Sequence, residues 1–133
     1  MSLDQESRKA IVEYRIERSL QALEEAQSTV ENGFLNLAAN RLYYTLYYAA
    51  SALLISKGIP TKTHAGIMAQ FHLHLVKTGI LSIDDGKLFR TLYNLRQESD
   101  YEDFIEVHIE DIDELMPKVV ELVEKLKNLI DKS

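Results

Sequence analysis

Residues 34–57 read FLNLAANRLYYTLYYAASALLISK. Drawn as a helix, this stretch is apolar on nearly every side, which is typical of a helix at the centre of a bundle. The tripeptide Gly58-Ile59-Pro60 follows the stretch and stops it, because glycine and proline both end helices. The sequence therefore predicts a central helix from about Phe34 to Lys57, which other helices must cover.

The segments on either side of this stretch are amphipathic. The first one ends at Asn32-Gly33, a common C-terminal stop. Its apolar residues recur at spacings of three and four, which predicts one buried stripe made by Val12, Ile16, Leu20, Leu23, Ala26 and Val30. The segment after the central helix begins at a cap, Thr61 or Thr63, and ends at Thr78-Gly79.

Two further segments complete the chain. One begins between Ser82 and Asp85, and the last carries an apolar stripe from Ile112 to Ile130. Pro117 interrupts that stripe without changing its phase, so either the helix kinks there, which we favour, or its regular part starts at Pro117. Five amphipathic segments with short connections predict an all-α fold, an up-and-down antiparallel bundle of four to five helices.

The composition is that of an ordinary soluble domain. The 133 residues are 46% hydrophobic and 27% charged, which excludes intrinsic disorder and predicts a single domain over residues 1–133. The absence of cysteine excludes disulfides and thiolate metal sites. Neither an apolar run of membrane-spanning length nor a signal peptide occurs, so we expect a cytoplasmic protein with no membrane partner.

The charge is distributed unevenly along the chain. The formal net charge is −6, whereas a generic nucleic-acid-binding protein is normally basic. From Asp100 to the C-terminus there are 11 acidic residues and 4 lysines, while residues 1–99 carry 10 acidic and 11 basic residues. An anionic ligand should therefore bind within the first three-quarters of the chain.

Four of the seven tyrosines stand within six residues of the central helix, at positions 43, 44, 47 and 48. On a helix, Arg41, Tyr44 and Tyr48 share one side, at i, i+3 and i+7. These three residues would form an aromatic and cationic wall for a nucleotide. The alternative is that the tyrosines fill the core and form hydrogen bonds at its edge.

A second candidate lies in residues 93–101, which read YNLRQESDY. On a helix, Arg96 and Asp100 are i and i+4 and lie on one face with Tyr93. This pattern fits either a plain ion pair at the surface or an arginine that binds phosphate and is oriented by a carboxylate. The residues alone do not decide between these two interpretations.

The histidines do not predict a metal site. His72 and His74 point in nearly opposite directions on a helix, and no zinc-binding spacing occurs, so no metal and no cofactor are expected. His64 differs from them because it stands at a helix start, on the inner face. It is either a structural residue or the imidazole of a site.

Four ordered segments of the chain resemble the HEPN superfamily, in particular its small stand-alone prokaryotic branch, which is associated with toxin-antitoxin systems. They span most of residues 8–130 and comprise NRLYYTLYYAA at 40–50, ALL at 52–54, THAG at 63–66 and LRQESDY at 95–101. The resemblance implies a helical bundle that is commonly a homodimer. Many such proteins are metal-independent ribonucleases, often toxins, that pair with a small nucleotidyltransferase.

The resemblance also implies roles for individual residues. The usual motif of the family is an arginine, four to six residues, a histidine and often a tyrosine two positions later. Arg96 would hold the scissile phosphate, but Asp100 and Tyr101 stand where the histidine and tyrosine are expected, and His108 lies twelve positions after Arg96. An aspartate beside an arginine is ionised, so it could act as a base but not as a good acid. His64 would supply the imidazole if the third helix packs beside the fourth.

Three functions remain open at this point. The first is a module that binds a nucleotide, RNA or a nucleotidyltransferase, the second is an endoribonuclease toxin with a displaced acid-base group, and the third is a purely structural helical dimer. For the first two, we expect Arg41, His64, Arg96 and Asp100 to lie around one pocket between the second, third and fourth helices. Catalytic residues would be Arg96, Asp100 and His64, and the ligand would be bound by Arg41, Tyr44, Tyr48 and Tyr101.

Overall fold

The computed structural model describes residues 4–99 and 106–132. This part of the chain forms five α-helices, and it contains no β-strand: α1 Gln5–Glu31, α2 Leu35–Ser56, α3 His64–Phe71, α4 Ile83–Ser99 and α5 Ile109–Asp131. A short π-helix, His72–Val76, continues α3. The prediction of an all-α helical bundle is confirmed.

The central helix is α2, as predicted from its composition. Twelve of its 22 residues are buried, and it packs against α1, α3, α4 and α5. The largest buried side chains include Tyr43, Phe71 and Phe89, which come from α2, α3 and α4 and meet in one core. Neither α2 nor any other described helix is both long and apolar enough to span a membrane.

The buried face of α1 differs from the predicted stripe. Leu20 is 38% exposed, whereas Ser19 and Ala22 are buried together with Val12 and Ala26. The hydroxyl of Ser19 donates a hydrogen bond of 2.7 Å to the Thr45 carbonyl oxygen on α2. Small side chains allow the two helix backbones to approach closely, so α1 turns its small residues toward α2 and leaves Leu20 at the margin.

Side-chain caps set the beginnings of α3 and α4. Of the two predicted caps for α3, Thr63 is the one used, because its Oγ1 accepts a hydrogen bond of 2.9 Å from the Gly66 N–H. At the start of α4, Ser82 and Asp85 bond each other's backbone N–H groups reciprocally. This capping box fixes where α4 begins and hence the position of its later residues along the helix axis.

The π-helix after α3 is not indicated by the sequence pattern. Its i to i+5 geometry is visible in the 2.8 Å hydrogen bond from the Lys77 N–H to the His72 carbonyl oxygen. Gly86 of α4 lies against this segment, so closely that a Cβ at that position would be 3.0 Å from Val76 Cγ2. The missing side chain of Gly86 therefore lets α4 pack directly against the wider turn.

The last helix runs through Pro117 without interruption. It begins after His108, whose backbone N–H donates a 3.0 Å hydrogen bond to Asp111 Oδ2. The alternative in which the regular helix starts at Pro117 is therefore wrong, while the kink stays a prediction. Because proline has no N–H, the i to i−4 hydrogen bond to the carbonyl of Asp113 cannot form.

We expect Pro117→Ala to raise the free energy of unfolding by about 2 kcal/mol, measured by urea denaturation. Proline costs roughly 3 kcal/mol more than alanine inside a helix, and the greater freedom of the unfolded alanine chain offsets up to about 1 kcal/mol. Pro60→Ala is the matched control, since Pro60 is exposed and lies outside the helices. A Pro117→Ala protein no more stable than wild type would contradict this account.

Candidate functional site

The tyrosines of α2 form one aromatic cluster with His64. Tyr43 is fully buried at its centre, and Tyr44, Tyr47 and Tyr48 are partly exposed around it. The His64 ring stacks on Tyr47 with centroids 4.4 Å apart, and it meets the edge of Tyr44 at 5.8 Å. The cluster is thus part core and part surface: Tyr43 fills the core, whereas the nucleotide wall made by Arg41, Tyr44 and Tyr48 stays a prediction.

His64 is held by a hydrogen bond to the buried tyrosine. As the first residue of α3, after the Thr63 cap, it places Nδ1 2.8 Å from the Tyr43 hydroxyl. Burial raises the pKa of Tyr43, so that hydroxyl keeps its proton. A phenol hydroxyl that keeps its proton can donate it to an unprotonated Nδ1, and we assign this direction to the hydrogen bond. A neutral His64 then carries its own proton on Nε2.

Arg96 of α4 lies against the same rings. Its guanidinium carbon is 5.0 Å from the Tyr43 ring centroid and 5.8 Å from that of Tyr44, and Nη1 donates to the Tyr44 hydroxyl at 3.3 Å. Burial, and secondly the positive charge of Arg96, lower the pKa of His64. The imidazole is therefore neutral near pH 7. The structure brings Arg96 and His64 together across the gap between α3 and α4.

Arg41 also lies against Tyr44. Its guanidinium carbon lies 5.0 Å from the Tyr44 ring centroid, so one ring contacts both arginines. Nη1 of Arg41 also forms an ion pair of 3.1 Å with Glu25 of α1. The pattern of α2 alone did not indicate Glu25, because this contact depends on how α1 lies along α2. A partly exposed pair of this kind contributes little stability.

Tyr48 extends the cluster toward α1. Arg18 donates a long hydrogen bond of 3.4 Å to the Tyr48 hydroxyl, and its guanidinium carbon is 5.3 Å from the ring centroid. The guanidinium carbon of Arg15 is 6.0 Å from the same centroid. Neither arginine was among the residues predicted for the site.

Five of the residues predicted for the site therefore form one continuous group: Arg41, Tyr44, Tyr48, His64 and Arg96. The other two, Asp100 and Tyr101, lie outside the described residues, so their place at this site stays a prediction. A groove of about 780 Å³ lies elsewhere, between α4 and α5. Its charges are partly used in ion pairs such as Lys125–Asp85, at 3.3 Å, and it contains none of the aromatic residues.

The chain is similar to a known family over nearly its whole length. A family model of the HEPN domain matches residues 12–129. The chain belongs to the HEPN family. The resemblance seen in the sequence is thus confirmed. The described residues of the segments on which it rested lie in α2, at the start of α3 and at the end of α4.

Individual relatives of this HEPN protein come from prokaryotes. It is 32% identical over 121 residues to a UPF0332 protein of Thermotoga maritima, which covers 91% of this chain and 92% of that protein. It is also 32% identical over 107 residues to a Methanocaldococcus jannaschii protein named as a candidate toxin, over 80% of this chain and 73% of that one. A UPF0332 protein of Archaeoglobus fulgidus is 29% identical over 122 residues, which is 92% of this chain and 97% of the relative.

The lowered pKa of His64 has a measurable consequence. We expect its imidazole to titrate below the ordinary value of 6.5 in NMR spectra of the folded protein. Arg96→Gln should raise that pKa because a nearby positive charge is removed, whereas Arg41→Gln should leave it unchanged. A His64 pKa at or above 6.5, or one unaffected by Arg96→Gln, would be inconsistent with the site as described.

The same shift fixes the sign of the pH dependence of stability. At a pH between the pKa of His64 in the folded protein and its pKa in the unfolded chain, His64 binds fewer protons in the folded protein. Its contribution to stability is therefore complete above about pH 6.5 and is lost as the pH falls through that window.

Proposed function

We propose that this HEPN protein binds RNA, and that Arg96 and His64 hold one of its phosphate groups. The observation that supports this most directly is the position of Arg96 and His64 against the same two tyrosine rings, from two different helices. A guanidinium presents a planar set of donors that suits a phosphate. The Nε2 proton of a neutral His64 would add a further donor.

The tyrosines supply rings on which bases can stack, which a phosphate site alone does not have. Tyr44, Tyr47 and Tyr48 are partly exposed, so unpaired bases could stack on their rings. Stacking on tyrosine accepts any base, which suits a module without strict sequence preference. A protein of net charge −6 would bind RNA through such a local group and not through a generally basic surface.

Endoribonuclease activity is the second candidate, and the proximity of His64 to Arg96 is the observation that favours it. Metal-independent cleavage needs a base to accept the ribose 2′-hydroxyl proton and an acid to protonate the leaving oxygen. With its proton on Nε2, however, His64 is a donor and cannot accept a proton at that atom. The hydrogen bond from Tyr43 therefore favours phosphate binding over proton abstraction by His64.

The names of two relatives support a cellular context. Two proteins of Methanocaldococcus jannaschii that this chain matches are named as candidate toxins, which supports a role in a toxin-antitoxin system. We accordingly propose a nucleotidyltransferase as a partner protein and a homodimer as the assembly. The third alternative, a purely structural helical dimer, would apply if the protein forms a dimer but binds no RNA.

RNA binding is tested with a fluorescent eight-residue uridine oligomer, followed by anisotropy. We expect Arg96→Ala to weaken binding at least tenfold, because hydrogen bonds to charged groups contribute roughly 1.5–3 kcal/mol. Arg90→Ala is the matched control, since Arg90 is an exposed arginine on the same helix, and it should bind like wild type. Equal affinities of the Arg96→Ala and wild-type proteins would refute the proposal, as would wild type without affinity.

Cleavage is tested separately on one structured RNA at pH 7. If the protein is a binding module, His64→Gln should change any cleavage rate by no more than a few-fold, since glutamine keeps a donor at this position. A loss of 100-fold or more, about 2.7 kcal/mol of barrier, would instead identify His64 as a catalytic residue and establish the endoribonuclease alternative. Circular dichroism of both proteins controls for folding.

A further inference from the structure

We infer that the RNA site continues onto α1, where Arg15, Arg18 and Tyr48 form a second subsite for a phosphate and a base of single-stranded RNA. This inference rests on the proposed function and extends it beyond the residues that the family motif covers. Arg18 and Arg15 both place a guanidinium over the Tyr48 ring, at 5.3 and 6.0 Å from its centroid. Tyr48 is thus bordered by two cations of α1.

The two arginines of α1 have no ion pair that would neutralise them. Among the side chains that the structure describes, no carboxylate lies within 4.0 Å of either guanidinium, and Arg18 donates instead to the side-chain oxygen of Gln21 at 2.9 Å. Arg41, by contrast, pairs with Glu25. Glu25 attracts Arg18 only as a minor charge beyond ion-pair distance. The two adjacent cations, in a chain of net charge −6, are therefore available for an anionic ligand.

The second subsite is continuous with the first. The Tyr48 and Tyr44 rings are 5.8 Å apart, and they stand one helical turn apart on α2, a rise of about 6 Å. Tyr44 contacts Arg96 and Arg41, while Tyr48 contacts Arg18 and Arg15. Each of the two neighbouring rings therefore has guanidinium groups of its own, so the two subsites together offer stacking surfaces and cations to successive nucleotides of a strand.

This arrangement selects single strands over duplexes. The bases of a duplex are stacked on each other and cannot lie on protein rings, whereas unpaired bases can. A dinucleotide is too short to occupy both subsites, so its binding should depend only on the subsite formed by Arg96. Longer oligomers should depend on both subsites, and this dependence on length distinguishes the extended site from a single phosphate site.

The experiment compares uridine oligomers of two and eight residues on the double variant Arg15→Gln/Arg18→Gln. We expect the eight-residue oligomer to bind at least tenfold more weakly and the dinucleotide to bind as it does to wild type. The slope of log affinity against log salt for the longer oligomer should become shallower by about 0.7, because the second subsite neutralises one phosphate and each such phosphate on a single strand contributes about 0.7.

The matched control is Lys87→Gln/Lys118→Gln, which removes the same charge from the groove between α4 and α5. It should bind both oligomers like wild type, and an equal loss in the control would overturn the inference. If Arg96→Ala weakens binding but Arg15→Gln/Arg18→Gln does not, the extension is wrong and the proposed function stands. If wild type binds neither oligomer, both fail.

Discussion

The hydrogen bond between Tyr43 and His64 is the constraint on which the candidate site depends. A phenol hydroxyl in a fully buried ring must find a partner, because an unsatisfied buried polar group costs about 1–3 kcal/mol. His64 Nδ1 supplies that partner at 2.8 Å. The bond ties the start of α3, a helix of only eight residues, to the middle of the central helix. It also fixes Nε2 as the nitrogen that carries the proton of a neutral imidazole.

The position of Arg96 depends on the same ring. Phe89 and Tyr93 of α4 contact Tyr43, with centroids 6.0 and 5.9 Å away, and Arg96 follows on the same side of that helix. The contacts of α4 with Tyr43 therefore place the Arg96 guanidinium at the edge of the cluster, where it contacts Tyr44. One buried side chain thus positions a donor from α3 and a donor from α4, and the functional proposal uses both.

The periodicity of the sequence predicted the helices well, because apolar spacing reports burial directly. The caps at Thr63 and Ser82 were also readable, since they need only residues three positions apart. The buried face of α1 could not be predicted in this way, because it depends on close packing through Ser19 and not on hydrophobicity. The π-helix was missed for a similar reason: Gly86 permits it from another helix.

The candidate site also has features that the sequence predicted and features that it did not. Arg41, Tyr44 and Tyr48 share one helix, so their common side follows from spacing alone. The meeting of His64 with Arg96 depends on how α3 packs beside α4, and the contact of Arg18 with Tyr48 joins residues 30 positions apart. No local pattern encodes such distances, so the sequence offered His64 only as one of two alternatives and did not indicate Arg15 or Arg18.

On the proposed function, the repulsion between two positive groups at this site favours an anion. Burial, and secondly the charge of Arg96, lower the pKa of His64, and the second cause means that an imidazolium there and the guanidinium repel each other. On the proposed function, a phosphate between them removes this conflict, since it attracts both groups. Protonation of His64 and binding of the anion must then strengthen each other, because linkage between two ligands is reciprocal. A phosphodiester does not titrate in this range, so the coupling belongs to His64, and affinity increases as the pH falls below neutrality.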